Sequence, residues 1–185
     1  METPKSKPKM PSAQLHELIS PFNIDRIKYP VLVIGIRGYY KDTLGLPGKN
    51  DIGIYDDAIF IDSKEASVSF NANTDPSVKR PGIATLVANA VYLYKIGMHN
   101  MKAPYKALRQ FGRVTVIRAG QSKPETDTSA APFYIDIHKG GFNTTSSLGC
   151  QTIHPTQWPS FIALVEGEMK RNNQTVIPYI LIEQS

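Results

Sequence analysis

Short β-branched segments bounded by turn residues dominate the chain after Pro30, and this pattern restricts it to a β-rich fold. The segments rich in valine, isoleucine, tyrosine and phenylalanine are residues 31–37, 52–55, 58–62, 68–70, 90–96, 114–117, 133–137 and 176–182. Pro178 lies in the last segment. Because proline cannot donate a hydrogen bond to a neighbouring strand, we expect this strand to lie at a sheet edge.

One long helix is predicted at residues 155–171. Pro155 suits the first turn of a helix. The apolar residues that recur at the spacing of one helical face are Trp158, Phe161, Ile162, Val165 and Met169. Such a stripe is typical of ordinary packing, so we expect it to face the core, with Trp158 as an anchor. The strands and this helix together predict a β-rich α+β fold.

Length and composition fit one compact domain. The chain has 185 residues, of which 41% are hydrophobic and 20% are charged. A chain of this length buries roughly 70% of its unfolded surface, so it needs no disulfide or structural metal. Residues 1–12, rich in lysine and proline, predict a flexible basic tail, and residues 13–185 a single catalytic domain. Cys150 is the one cysteine, which excludes an intrachain disulfide.

Apolar runs and net charge bear on location and partners. The longest apolar run, residues 31–36, is far shorter than the ~20 residues that cross a bilayer, so no membrane span is predicted. The lysine-rich start is not followed by the apolar stretch of a secretory signal, and we expect no export signal. The net charge of +5 favours anionic partners such as cell-wall polymer. Without a recognisable nucleic-acid module, we do not expect nucleic acid as the partner.

Residues 133–153 contain the strongest candidate for chemistry. A predicted strand ends at His138, and a loop of small residues leads from it to Cys150. Alternation along this strand predicts a core face formed by Ile135 and Ile137 and a polar face formed by Tyr134, Asp136 and His138.

The glycine- and serine-rich loop at residues 139–149 can fold back and bring Cys150 beside His138. Because an adjacent imidazole shifts a thiol toward the nucleophilic thiolate, this pair predicts a cysteine nucleophile. Gly149 would let a substrate carbonyl approach the backbone closely. The N–H groups of its neighbours, including that of Cys150, would then form an oxyanion hole for acyl transfer.

The segment Ser147-Leu148-Gly149-Cys150 resembles the Ser/Thr-x-Gly-Cys signature of the L,D-transpeptidase catalytic domain, the YkuD-type family. His138-Lys139-Gly140 is similar to the His-x-Gly motif that this family places at a strand end upstream of the cysteine loop. The resemblance implies a two-sheet sandwich and a cysteine enzyme without a cofactor. Such an enzyme acts on the stem peptides of bacterial peptidoglycan through an acyl-enzyme, as a transpeptidase, carboxypeptidase or endopeptidase.

The resemblance makes Cys150 the nucleophile and His138 the general base, oriented by a backbone carbonyl instead of a carboxylate. It makes Ser147 and Gly149 the residues that shape the thiol's surroundings. The residues expected to contact the substrate are Tyr134, Gly140 and Thr152.

The sequence also departs from the family pattern. The gap between His138 and Cys150 is shorter than usual, and Thr152 stands where the family often has arginine. The short loop and the lack of an export signal look similar to phage-encoded or effector-like relatives. The expected site of action is the periplasm or cell wall, after synthesis in the cytoplasm.

Two other classes of protein stay open. A zinc-dependent peptidoglycan hydrolase would take its ligands from Asp136, His138, His99, His154 and Cys150, although the chain has no HExxH or paired CxxC motif. A non-catalytic module that binds cell wall or nucleic acid would use the aromatic and basic residues around Gly38, namely Arg37, Tyr39, Tyr40 and Lys41. A binding module would tolerate Cys150→Ser, whereas the cysteine enzyme would not.

Overall fold

A closed barrel of eight strands dominates the computed structural model, which describes residues 1–184. The strands in chain order are β1 (Leu32–Arg37), β2 (Asp57–Asp62), β3 (Ser67–Asn73), β4 (Ala84–Leu86), β5 (Ala90–His99), β6 (Tyr105–Gln110), β7 (Thr115–Arg118), β8 (Glu125–Thr126), β9 (Ile137–Lys139), β10 (Gln151–Ile153) and β11 (Ile177–Glu183). Around the barrel their order is β1-β11-β5-β6-β9-β10-β3-β2, and β4, β7 and β8 form a separate sheet.

Two helices accompany the two sheets, so the expected β-rich α+β class is confirmed, but the larger sheet closes into a barrel instead of forming one layer of the expected sandwich. Helix α1 (Ser12–Ile19) is followed by one turn of 3-10 helix, Ser20–Phe22, and helix α2 is Trp158–Arg171. Helix α2 confirms most of the predicted helix, but residues 155–157 form a turn. The proline in its first turn is therefore Pro159, not Pro155.

Two of the predicted strands differ from the structure. Residues 52–55 form a turn around Gly53, where φ is 80° and a Cβ atom would lie 2.8 Å from the Ser77 carbonyl oxygen. Of the predicted strand 133–137, only Ile137 belongs to a strand. Tyr134 has a φ of 57°, and this left-handed conformation interrupts the extended backbone that a strand requires.

Strand β11 is not at a sheet edge, contrary to the expectation from Pro178. It lies between β1, to which it is parallel, and β5, to which it is antiparallel. The pairing with β1 begins at Tyr179, so Pro178 has a strand partner only on the β5 side, opposite Leu93. Pro178 is accommodated because it precedes the first residue of β11 that pairs with β1.

Alternation along the barrel strands divides the core into two layers. The interior cluster includes Val33 of β1 and the buried face of α2, including Phe161. The second cluster lies on the outside of β1, β2 and β11, where α1 buries Leu15 and Ile19. No helix within residues 1–184 is both long and apolar enough to cross a membrane.

The N-terminal segment contacts the barrel. Pro8 is buried and its carbonyl accepts a hydrogen bond from the Ser69 hydroxyl at 2.5 Å. The backbone N–H of Lys9 donates to the Tyr39 hydroxyl at 2.9 Å. The division into a flexible tail at residues 1–12 and a domain at residues 13–185 stays a prediction.

Substitutions of two glycines, one in β1 and one in α2, test the packing around them. A Cβ atom at Gly35 of β1 would overlap the hydroxyl of the buried Tyr179, so we expect Gly35→Ala to lower the free energy of unfolding by about 1–3 kcal/mol. Gly167 of α2 is exposed and has open space around its Cα, so Gly167→Ala should raise that free energy by up to about 1 kcal/mol. Urea unfolding measures both. A Gly35→Ala variant as stable as the wild type would contradict this packing.

Candidate active site

The parallel pairing of β9 with β10 brings the cysteine loop to the histidine strand. Thr152 lies opposite His138 in this register, and Cys150 immediately precedes β10. The backbone N–H of Asp136 donates to Cys150 Sγ at 3.4 Å. Because Ile137 packs in the barrel interior, the alternate residues before and after it face away from the interior. Because Gln151 pairs with Ile137, Cys150 lies beside Asp136, two residues before His138.

The His138 ring is held on several sides. Its Nδ1 lies 2.9 Å from the Lys139 carbonyl oxygen. Since a carbonyl only accepts, Nδ1 carries the proton and Nε2 is the basic nitrogen. The Tyr105 hydroxyl is 3.5 Å from Nδ1, and the ring stacks on His99 with centroids 4.4 Å apart. A backbone carbonyl, rather than a carboxylate, thus orients this imidazole.

Asp136 binds groups other than His138. Its carboxylate is fully buried, with Oδ2 2.9 Å from His99 Nδ1 and 3.1 Å from Arg109 Nη1. Its Oδ1 accepts the Gln110 N–H at 3.0 Å. The sequence alone indicates His99 only as a candidate metal ligand and does not indicate Arg109, because residues on β5 and β6 carry no local sign that they reach this site.

Ser147 and Gly149 shape the loop before the thiol. The Ser147 hydroxyl donates to the Cys150 carbonyl at 2.6 Å and accepts the Gly149 N–H at 3.0 Å. Gly149 has a φ of 138°, and a Cβ atom there would lie 2.8 Å from the Ala84 carbonyl oxygen. Only glycine fits this position. Because its own N–H is engaged, the oxyanion donors expected here are the N–H groups of its neighbours.

Ser77 connects this loop to the segment after β3, a contact that no sequence pattern indicates. Its N–H donates to the Ser147 carbonyl at 2.8 Å, and its hydroxyl accepts the Ser147 N–H at 2.7 Å. The same hydroxyl is 2.6 Å from the Thr145 hydroxyl. The cysteine loop is therefore anchored at two of its residues.

The three residues expected to contact substrate have different surroundings. Tyr134 is 59% exposed, beside the thiol, with Arg109 over its ring at 5.7 Å. Gly140 is buried, and a Cβ atom there would overlap the Tyr55 hydroxyl. Thr152 is fully buried. The cysteine loop adds exposed apolar side chains at Phe142 and Leu148.

Burial keeps both reacting groups neutral at pH 7. It raises the pKa of the Cys150 thiol to about 11, against opposing effects of the Asp136 N–H and Arg109. It lowers the pKa of His138 to about 4, and the neighbouring His99 adds to this. The expected shift toward a thiolate is therefore not found in the resting site. The thiol instead donates to the Tyr134 carbonyl at 3.5 Å.

Of the residues named for the zinc alternative, His99, Asp136, His138 and Cys150 lie close together, but His154 does not join them. His154 lies elsewhere, with Nδ1 2.8 Å from the Thr156 hydroxyl and its ring against Tyr55 and Phe142. Within residues 1–184, no three side chains of the types His, Cys, Asp and Glu are arranged to hold one metal ion.

The basic-aromatic cluster around Gly38 is not one exposed surface. Arg37 is buried, and its guanidinium donates to the hydroxyl and carbonyl of Thr74 and to the Leu86 carbonyl. The binding-module alternative thus lacks Arg37 as a surface contact.

Comparisons with known proteins add no family to this description. No protein-family model, no curated protein and no solved structure matches the chain significantly. The geometry of the site is therefore the basis on which its function is proposed.

The thiol pKa predicts how Cys150 reacts with iodoacetamide. Because the thiol is neutral at pH 7, alkylation should be slow and should accelerate about tenfold per pH unit between pH 7 and 9.5. Intact-mass spectrometry measures the rate without ambiguity, since Cys150 is the one cysteine. Glutathione under the same conditions is the control for an ordinary thiol. A rate that already levels off near pH 8 would contradict the raised pKa.

The depressed pKa of His138 predicts a loss of stability in acid. Above pH 7 the imidazole is neutral in both states, whereas between pH 6.5 and 4 the unfolded state binds a proton that the folded state does not. The wild type should therefore lose about 2–3 kcal/mol more than His138→Gln between pH 7 and 4.5. Urea unfolding at the two pH values measures this difference, and a parallel loss in both proteins would show that His138 titrates normally.

Proposed function

We propose that the chain is a cysteine-dependent acyl-transfer enzyme of the L,D-transpeptidase type that acts on peptidoglycan stem peptides. The observation that carries this proposal is the position of Cys150. Its thiol follows a loop in which only glycine fits at position 149, and it directly precedes β10, which pairs with the strand that contains His138. The carbonyl of Lys139 leaves the basic nitrogen of His138 free to accept a proton. The β-rich fold with two sheets also supports it.

The reaction begins from two neutral groups. Substrate binding turns the thiol away from the Tyr134 carbonyl, and His138 Nε2 accepts the thiol proton as Sγ attacks a peptide carbonyl carbon. Backbone N–H groups on either side of Gly149 stabilise the tetrahedral oxyanion. Its collapse breaks the C–N bond, and the imidazolium returns the proton to the leaving amine. The low pKa of His138 makes this imidazolium a strong acid, which favours departure of the amine.

The resulting thioester on Cys150 has two possible acceptors. Water attacks the acyl carbon in a carboxypeptidase or endopeptidase, and a side-chain amine of a second stem peptide attacks it in a transpeptidase. In both cases His138 accepts the proton of the attacking group and returns it to the thiolate that leaves. The product therefore distinguishes the two activities.

Arg109 is the proposed source of positive charge for the stem peptide's carboxylates. Thr152, which stands where the family often has arginine, is fully buried. Arg109 is partly exposed over the ring of Tyr134, and its charge lowers the pKa of Cys150. It thus presents a cation to the exposed side of the thiol from a different strand, β6.

The proposed place of action is the periplasm or cell wall.

Purified protein incubated with isolated muropeptides tests this function, with product masses followed by liquid chromatography and mass spectrometry. We expect the wild type to remove a terminal residue, cleave a stem bond or form a cross-linked dimer, and Cys150→Ala to do none of these. Asn143→Ala is the matched control, because Asn143 is an exposed residue of the same loop.

A wild type that leaves every muropeptide unchanged would contradict the proposed substrate. Equal activity in the wild type and in Cys150→Ala would contradict the cysteine mechanism. The control variant should retain wild-type activity if the loss in Cys150→Ala comes from the thiol itself.

A further inference from the structure

Three buried aspartates lie near one arginine where β1, β2 and β3 meet the loop after β1. Asp56, Asp57 and Asp75 are 0%, 0% and 5% exposed. Arg37 is paired with this group, since its Nε lies 3.3 Å from Asp75 Oδ1. Buried carboxylates are costly unless their charge and their oxygen atoms are compensated.

Hydrogen bonds satisfy Asp57 but not Asp56. The two oxygens of Asp57 accept the N–H groups of Gly38 and Thr74 and the Thr74 hydroxyl, at 2.6–2.8 Å. In Asp56, Oδ2 accepts the Asp51 N–H at 2.7 Å, but the buried Oδ1 has no partner among residues 1–184. Asp56 is thus left with an acceptor atom that no donor of the described chain reaches.

Two amide oxygens in the same cluster are also without partners. They are Asn50 Oδ1 and Asn73 Oδ1, so three of the five buried, unpartnered side-chain atoms of the described residues belong to this cluster. Their amide nitrogens are engaged, because Asn50 Nδ2 donates to Asp75 Oδ2 at 2.6 Å and Asn73 Nδ2 donates to the Asp75 carbonyl. Only acceptor atoms are left over.

The strand register places Asp56 beside Asn73. Asp57 lies opposite Ala72 in the antiparallel pair of β2 and β3, so Asp56 and Asn73 are the next facing residues, on one side of the sheet. Asn73 and Asn50 both bind Asp75, and the charge of Asp75 acts on Asp56. Asp56, Asp75, Asn50 and Asn73 are therefore neighbours at this end of β2 and β3.

The unpartnered atoms of this cluster are all oxygens. Unpartnered carboxylate and amide oxygens are ligands of hard cations. Ca²⁺ accepts six to eight such oxygens in flexible geometry, whereas Mg²⁺ demands a regular octahedron and retains several waters. A mixture of carboxylate and amide oxygens supplied by the protein fits Ca²⁺ better than Mg²⁺.

We propose that Asp56, Asp75, Asn50 and Asn73 form a binding site for a divalent cation, with Ca²⁺ preferred over Mg²⁺. The cation compensates the buried negative charge and satisfies the unpartnered oxygens. It also fixes the segment that leads from Asn73 to Ser77, whose hydroxyl and N–H hold the cysteine loop. This site is separate from the thiol and does not depend on the proposed acyl transfer.

Calorimetric titration and thermal unfolding of the full chain, first stripped with EDTA, test the site with CaCl₂ and MgCl₂ as probes. For the wild type we expect measurable Ca²⁺ binding and a Tm that rises by several degrees at saturating Ca²⁺. Asp56→Asn should weaken Ca²⁺ binding at least tenfold. Asp42→Asn, which removes the same charge from an exposed position of the same loop, should bind like the wild type.

Asn50→Ala is the second variant in case Asp56→Asn does not fold. Because Asn50 is only partly buried, this variant should fold, and it should also weaken Ca²⁺ binding. The proposal is overturned if neither cation binds the wild type, if Mg²⁺ binds more tightly than Ca²⁺, or if the substituted cluster binds Ca²⁺ as tightly as the wild type. A wild type without cation response, together with a more stable Asp56→Asn, would also overturn it, because protons alone would then neutralise the cluster.

Discussion

The buried carboxylate of Asp136 joins the strands on which the site depends. This carboxylate binds His99 of β5 and, in β6, the side chain of Arg109 and the N–H of Gln110. The backbone N–H of Asp136 donates to the sulfur of Cys150. A buried carboxylate is strongly destabilising without such partners. Residues of β5 and β6 and the segments before β9 and β10 must therefore meet at this point, and their meeting positions the two histidines.

Local sequence predicts the long elements of the fold well and the short ones poorly. Strand β1 and helix α2 each bury a regular apolar pattern, which is visible without knowing what packs against it. Strands β9 and β10 have three residues each and are defined by their pairing with other strands. The left-handed Tyr134 is equally invisible in a segment whose composition is typical of a strand.

The candidate site could be predicted in part. Cys150 and His138 stand out because residue type and the small residues between them carry the signal. Arg109 and His99 act on the site only because β5 and β6 fold against β9, a tertiary relation that no spacing reveals. The same holds for the neutral resting state of the thiol, since the extent of burial that sets its pKa depends on the whole barrel.

The central claim is that Cys150 becomes acylated by a stem peptide, and the most direct measurement is to trap that intermediate. Acid quenching during turnover of muropeptides, followed by digestion and mass spectrometry, should give a thioester on the peptide that contains Cys150. Its added mass should equal the acyl part of the substrate, and the adduct should disappear on treatment with hydroxylamine. Product formation with Cys150 unmodified at every time point, including times before the first turnover is complete, would contradict the account.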